Sequence, residues 1–215
     1  MIVEQMLVGP MAVFCYIVGC EETRECVLID PAGNEDSILR KIARLNLRPL
    51  YLINTHGHAD HTSGNQLLAG KTGMQIVMHE ADAGLFDTPA ARQIAGQMGF
   101  RPSPPVDRRV KDGDSLPFGK ESLQVINTPG HTPGSICLYG KGNLFTGDTL
   151  FVGAVGRTDL PGGSFDVLLN SLQHKIMPLP DETIVWPGHD YGETPTSTIG
   201  REKKTNPYLT EFFDL

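Results

Sequence analysis

Three histidines, His56, His58 and His61, fall within six positions of one another, with Asp60 among them, in a chain that holds only 7 histidines. The stretch directly follows the apolar run Leu50-Tyr51-Leu52-Ile53. Four such groups at the end of a strand cannot easily be buried without partners, and a metal ion supplies one. Neutral imidazole and carboxylate are ligands for zinc, iron and manganese. In a segment leaving a strand, residues two apart point the same way, so His56 and His58 can share one ion. Asp60 and His61 stand on the following turn and can face a second. These ligands do not close two sites, so others must come from elsewhere.

Three further donors are placed to complete them. His131 lies in Thr128-Pro129-Gly130-His131, Asp148 in Thr146-Gly147-Asp148, and His189 in Trp186-Pro187-Gly188-His189. Each comes just after an apolar run. Each also follows a glycine, which lets the main chain approach an ion closely. Taken singly, each reads equally well as a turn residue. Beside the histidine-rich segment, the turn reading becomes the poorer one. His79 and His174 fit no ligand pattern and read as a hydrogen-bonded turn residue and a helix-face residue. Ser63 has no partner base and reads as a helix-start residue.

The elements that must carry these residues follow from periodicity. Residues 2–8 and 12–18 are β-rich runs broken by Gly9-Pro10, and Cys26 to Asp30 reads as a third strand. Ile38, Ile42 and Leu45 have helical spacing, with Asn34 as a candidate cap. Residues 62–70 read as a short helix and 75–78 as a strand. The proline-rich stretch 86–108 is irregular, with one helix near 90–98, and reads as a lid or wall at the mouth of the site. Strands return at 109–111, 122–127, 135–139 and 143–146, with Asp112-Gly113-Asp114 expected as a hairpin turn. Gly153 to Gly163 is glycine-rich and expected to be a loop. Ser164 caps a helix over 164–176, Ile184-Val185-Trp186 is a last strand, and 195–204 is expected to be helical. This alternation implies sheets covered by helices.

Composition sets outer bounds. A length of 215 residues predicts one domain over 1–215. A net charge of −7 argues against nucleic acid as the main partner. No apolar run approaches the ~20 residues of a membrane helix, and no basic leader precedes the first strand. Cys15, Cys20, Cys26 and Cys137 form no C-x-x-C pair; three lie in apolar or strand-like segments and read as buried thiols, while Cys20 falls in an expected turn. A reducing, cytoplasmic location is expected, without nucleic-acid or membrane partners and with homo-oligomerisation left open.

The H-x-H-x-D-H segment, the later Gly-His, the Gly-Asp and the final Pro-Gly-His occur in the order that marks the metallo-β-lactamase superfamily. The chain resembles that family over most of its length. The resemblance implies an α/β four-layer αβ/βα sandwich, two mixed sheets flanked by helices. It implies two divalent transition metals, zinc first, with iron or manganese as alternatives. His56, His58 and His131 would hold one, Asp60, His61 and His189 the other, and Asp148 would bridge. Asp60 and Asp148 are then the catalytic carboxylates. Two such cations about 3.5–4 Å apart bring a bridging water toward pKa ~7 and stabilise an oxyanion.

Among the branches, Asp148 separates the chain from the β-lactamases and His58 from the flavo-diiron proteins. The segment Gly147-Asp148-Thr149-Leu150-Phe151 and Tyr191 are similar to glyoxalase II. The leading expectation is therefore a thioester hydrolase acting on S-D-lactoylglutathione or a similar acyl-thiol, with Arg157 and Tyr191 binding substrate. The segment Gly156-Arg157-Thr158-Asp159 departs from glyoxalase II and is shared with persulfide dioxygenases, which use one iron at the positions of His56, His131 and Asp148. That reaction is the alternative. For Arg157, binding a substrate carboxylate and pairing with Asp159 stand level. A metal-stabilised module without catalysis is a third reading. It is disfavoured because a structural metal needs only four ligands.

Overall fold

A computed structural model describes residues 1–213. In chain order the first half holds strands β1 (Ile2–Val8), β2 (Val13–Gly19) and β3 (Glu25–Ile29), helix α1 (Glu35–Arg44) and β4 (Arg48–Ile53). Helices α2 (Ala59–Thr62) and α3 (Asn65–Thr72), β5 (Gln75–His79), α4 (Glu80–Phe86), α5 (Pro89–Gln97) and β6 (Arg108–Val110) complete it. The second half holds β7 (Ser115–Phe118), β8 (Glu121–Asn127), β9 (Ile136–Gly140), β10 (Asn143–Gly147), β11 (Leu150–Phe151) and β12 (Ala154–Val155). It ends with α6 (Phe165–Ser171), β13 (Ile184–Pro187), β14 (Ser197–Thr198), α7 (Ile199–Thr205) and α8 (Pro207–Thr210).

Two six-stranded mixed sheets result, in the orders β1-β2-β3-β4-β5-β6 and β14-β13-β10-β9-β8-β7. Strand β2 explains the layering. Phe14, Tyr16 and Val18 point between the sheets, while Cys15 and Ile17 point outward under the helices. A strand buried on both faces reads as an unbroken apolar run. The inter-sheet core joins these side chains to Leu123, Val125, Leu138 and Phe145 of the second sheet. Ile38 and Ile42 of α1 and Leu68 of α3 cover the outer face of the first sheet, and Leu168, Leu172, Ile176 and Ile199 cover that of the second. This is the expected four-layer αβ/βα sandwich.

The parallel register positions the site. Strands β3, β4 and β5 run parallel, as do β10 and β13. Their carboxyl ends gather at common edges, where ligand-binding loops of α/β proteins lie. Three ties draw the two edges together. The Ile136 N–H donates to Thr55 O, the Phe14 N–H donates to Gly188 O, and the Tyr16 hydroxyl donates to Pro187 O at 2.5 Å.

Several local expectations are corrected. Asp112-Gly113-Asp114 is not a hairpin turn but the crossover from β6 of one sheet to β7 of the other. The hairpin comes later, between β7 and β8. Asn34 precedes α1 in the left-handed region, φ 55°, and its side chain accepts from Gly9 N–H rather than capping the helix. The expected helix over 164–176 ends as α6 and continues as one π turn over 172–176. The glycine-rich loop contains the short strand β12, and residues 195–204 form β14 before α7 begins. All four cysteines are buried, and no helix among the described residues is long and apolar enough to cross a membrane.

Candidate metal centre

All seven ligands expected from sequence converge at the sheet edges. His131 Nε2 lies 3.3 Å from His56 Nε2 and 3.0 Å from His58 Nδ1. His61 Nε2 lies 3.1 Å from His189 Nε2, and Asp60 Oδ2 is 3.7 Å from both. Asp148 reaches both groups. Its Oδ2 is 3.7 Å from His131 Nε2 and 3.5 Å from His189 Nε2, and its Oδ1 is 3.3 Å from His61 Nε2. Three clusters of donors able to hold an ion follow: His56–His58–His131, His56–His61–Asp148 and Asp60–His61–His189.

The far sides of the rings fix their tautomers. His131 Nδ1 meets the Arg157 carbonyl at 2.7 Å and His189 Nδ1 meets the Met11 carbonyl at 3.1 Å. A carbonyl can only accept, so both nitrogens carry hydrogen. The Thr55 hydroxyl donates to Asp30 Oδ2 at 2.6 Å, which leaves its oxygen to accept from His56 Nδ1 at 3.1 Å. His61 Nδ1 donates to the same Asp30 oxygen at 3.0 Å. Four rings thus turn Nε2 inward. Ligands held by one ion at 2.0–2.1 Å stand about 3.0–3.4 Å apart, and the imidazole contacts have that spacing.

Charge points the same way. Asp148 Oδ1 is buried without a hydrogen-bond partner. Burial pushes the Asp148 carboxyl up, but His61, His189 and His131 outweigh it and hold it well below the usual range. Burial, then the neighbouring imidazoles, keeps His56 neutral. Burial and His131 bring His58 down to about 4. Burial works against a charged His61, yet Asp148, Asp30 and Asp60 overcome it and raise its pKa to about 10. The centre therefore offers neutral imidazoles at His56 and His58, ionised carboxylates, and a His61 whose proton stands where a cation would. That donor set fits divalent transition metals.

The two expected substrate residues lie at the rim. The Arg157 guanidinium makes two 2.7 Å bonds to Asp159 in an exposed pair, while its carbonyl holds His131. Tyr191 is 61% exposed and lies flat on the His189 ring, centroids 4.7 Å apart. In the stretch 86–108, Phe86 reaches the ligands, edge-on to His58 at 5.3 Å. Residues 102–105 instead line a cavity shared with Gln66 and Arg92. His79 accepts from the Ala81 N–H as the cap of α4, and the Ser63 hydroxyl donates to Ala32 O.

Sequence reasoning missed two buried carboxylates. Asp30 ends β3 at φ 48° and accepts from Thr55 N–H, Thr55 Oγ1 and His61. Its signal was present, since it stands at the end of an apolar run as Asp148 does. Asp82, on α4, carried no such signal.

Comparison with known proteins agrees with this geometry. The family model described as "Metallo-beta-lactamase superfamily" matches residues 8–189. The persulfide dioxygenase ETHE1 of Homo sapiens is 36% identical, with 97% of this chain and 76% of that protein aligned. The crystal structure of BLEG-1, a B3 metallo-beta-lactamase, superposes with TM-score 0.88 at 33% identity, covering 97% of this chain and 100% of that one. TTHA1623, crystallised in a di-iron-bound form, gives TM-score 0.84 at 35% identity, covering 96% and 100%.

Proposed function

Because the chain belongs to the metallo-β-lactamase superfamily, we propose that it is an iron-dependent persulfide dioxygenase. The observation that carries this reading is the 36% identity to a persulfide dioxygenase across 97% of the chain. It displaces the thioester hydrolase of glyoxalase II type as the leading reading, and iron displaces zinc. The likeness to a di-iron-bound protein supports iron, and the donor set has capacity for two ions.

His56, His131 and Asp148 would hold the iron that does the oxidation, two imidazoles and one carboxylate as in non-haem iron oxygenases. Iron bound there supplies the redox chemistry that brings dioxygen to the terminal sulfur of R–S–SH. Both oxygen atoms go to that sulfur, water supplies a third, and the products are the thiol R–SH, sulfite and two protons. Asp60 is the less buried of the two carboxylates and takes the persulfide proton. Tyr191 walls the His189 side. Arg157 binds a carboxylate on the thiol carrier by releasing Asp159, as a glutathione-like carrier would require.

The test is oxygen uptake. Protein reconstituted with ferrous iron should consume oxygen on addition of glutathione persulfide and form sulfite, and zinc-loaded protein should not. Equal activity with both metals would reject an oxidative reaction.

A further inference from the structure

Among the described residues two carboxylates with 0% exposure are not themselves metal donors, Glu202 on α7 and Asp82 on α4, and of these Asp82 bonds to the loops that carry the ligands. Its Oδ2 accepts from the Gly57 N–H and from the Thr132 hydroxyl, both at 2.8 Å, and its Oδ1 accepts from the Gly134 N–H at 2.6 Å. Gly57 lies between His56 and His58. Thr132 directly follows His131, and Gly134 closes the same turn. Two loops, one following a strand of each sheet, therefore meet on a single carboxylate, and together they carry all three imidazoles of one cluster. The fit is close: a Cβ on Gly134 would stand 2.6 Å from Asp82 Oδ1 and 2.5 Å from Asp82 N.

The other cluster hangs on a different carboxylate. Asp30 holds Thr55 and His61, and it makes no contact with the 131–134 turn among the described hydrogen bonds. Asp30 also reaches His56 through Thr55, whose oxygen accepts from His56 Nδ1, but Asp82 is the carboxylate that ties the 131–134 turn to the 56–58 loop. The cations nearest in kind are absent at Asp82, since no ion pair to it occurs among the described residues, so its charge is met by neutral donors alone. Such bonds are stronger than neutral ones and are costly to leave unmade.

We propose that Asp82 is the positioning residue of the His56–His58–His131 half of the centre and sets that half's metal affinity independently of the Asp60–His61–His189 half. This rests on the metal centre of the proposed function but not on the identity of the substrate. The reason is geometric. His131 must stay 3.0 Å from His58 and 3.3 Å from His56, although it comes from another sheet. In Asp82→Asn the shape is kept, but an amide N–H2 faces one of the three donors. One attraction becomes a repulsion, and the loops part.

Metal-free protein, prepared with a chelator, is titrated with Co2+ and followed by its visible absorption bands. His131→Ala and Asp60→Ala identify the binding step that belongs to each half. In Asp82→Asn the step lost in His131→Ala should weaken about 10- to 100-fold, and the step lost in Asp60→Ala should stay within about twofold. Thr132→Val removes one donor and leaves the carboxylate in place. It should weaken the same step by a smaller factor, and it decides the matter if Asp82→Asn does not fold. Unchanged affinities in these variants would overturn the proposal, as would parallel loss of both steps in a variant with native circular dichroism. A wild-type protein that takes up no Co2+ would refute the metal centre itself, and this proposal with it.

Discussion

Gly188→Ala is a small change with a large expected effect. A Cβ at Gly188 would stand 2.4 Å from Asp148 Oδ1, 2.8 Å from Gly147 C and 2.9 Å from Gly147 O. Gly188 cannot retreat, because its N–H donates to Gly147 O and its carbonyl accepts from Phe14 N–H, both at 2.8 Å. The Asp148 carboxylate must yield instead. An ordinary C···O contact is about 3.3 Å, so the shift is about 1 Å. A displacement of that size in a reacting group costs about a hundredfold. The backbone overlap adds about 1–3 kcal/mol of overpacking, which lowers Tm by about 2–12 °C in a chain of this size. Metal content by elemental analysis, kcat/KM and the melting curve of chelator-treated protein read the three effects. A variant with full metal content, unchanged kcat/KM and unchanged Tm would refute the claim that close backbone approach is why glycine stands before His189.

Gly70 offers the opposite outcome: it sits exposed in α3 with open space around its Cα. Gly70→Ala should stabilise by about 0.5–1 kcal/mol and raise Tm by a few degrees, measured by calorimetry; a lower Tm would contradict the helical assignment there. Asp148→Ala should lose metal and activity together, read by elemental analysis and turnover on one preparation; surviving activity would mean Asp148 does not join the two halves. Arg157→Ala should raise KM about tenfold and leave metal content unchanged, because the main-chain carbonyl rather than the guanidinium holds His131; parallel loss of metal would assign the Arg157–Asp159 pair to loop structure alone. Because the carboxylates hold a proton on His61 up to about 10, metal must displace that proton. Apparent affinity should therefore rise as pH increases between about 7 and 10, with proton release detected in weakly buffered titrations; a pH-independent affinity would show that His61 is not a ligand.

The ligands were legible because metal binding demands few residue types at strand ends, and apolar runs reveal strand ends. His56, His131, Asp148 and His189 each follow such a run. What supports them was less legible. The Met11 and Arg157 carbonyls hold two of the rings, and a carbonyl has no residue type to read. Asp82 resembles any acidic residue of a short helix until the fold brings two loops onto it. The crossover at Asp112 to Asp114 was misread because a turn between two sheets uses the same Asp-Gly chemistry as a hairpin. The choice of reaction was the least legible of all. The residue types of the seven donors do not by themselves separate hydrolysis from oxidation.

The central claim is oxidation of a persulfide, and one comparison tests it most directly. A single preparation, assayed for iron and zinc, is offered glutathione persulfide and S-D-lactoylglutathione side by side, with oxygen uptake and thioester absorbance recorded. Bound iron, oxygen consumption with sulfite formation on the persulfide, and no thioester hydrolysis are expected. Thioester hydrolysis without oxygen uptake, in protein that holds zinc, would contradict the claim.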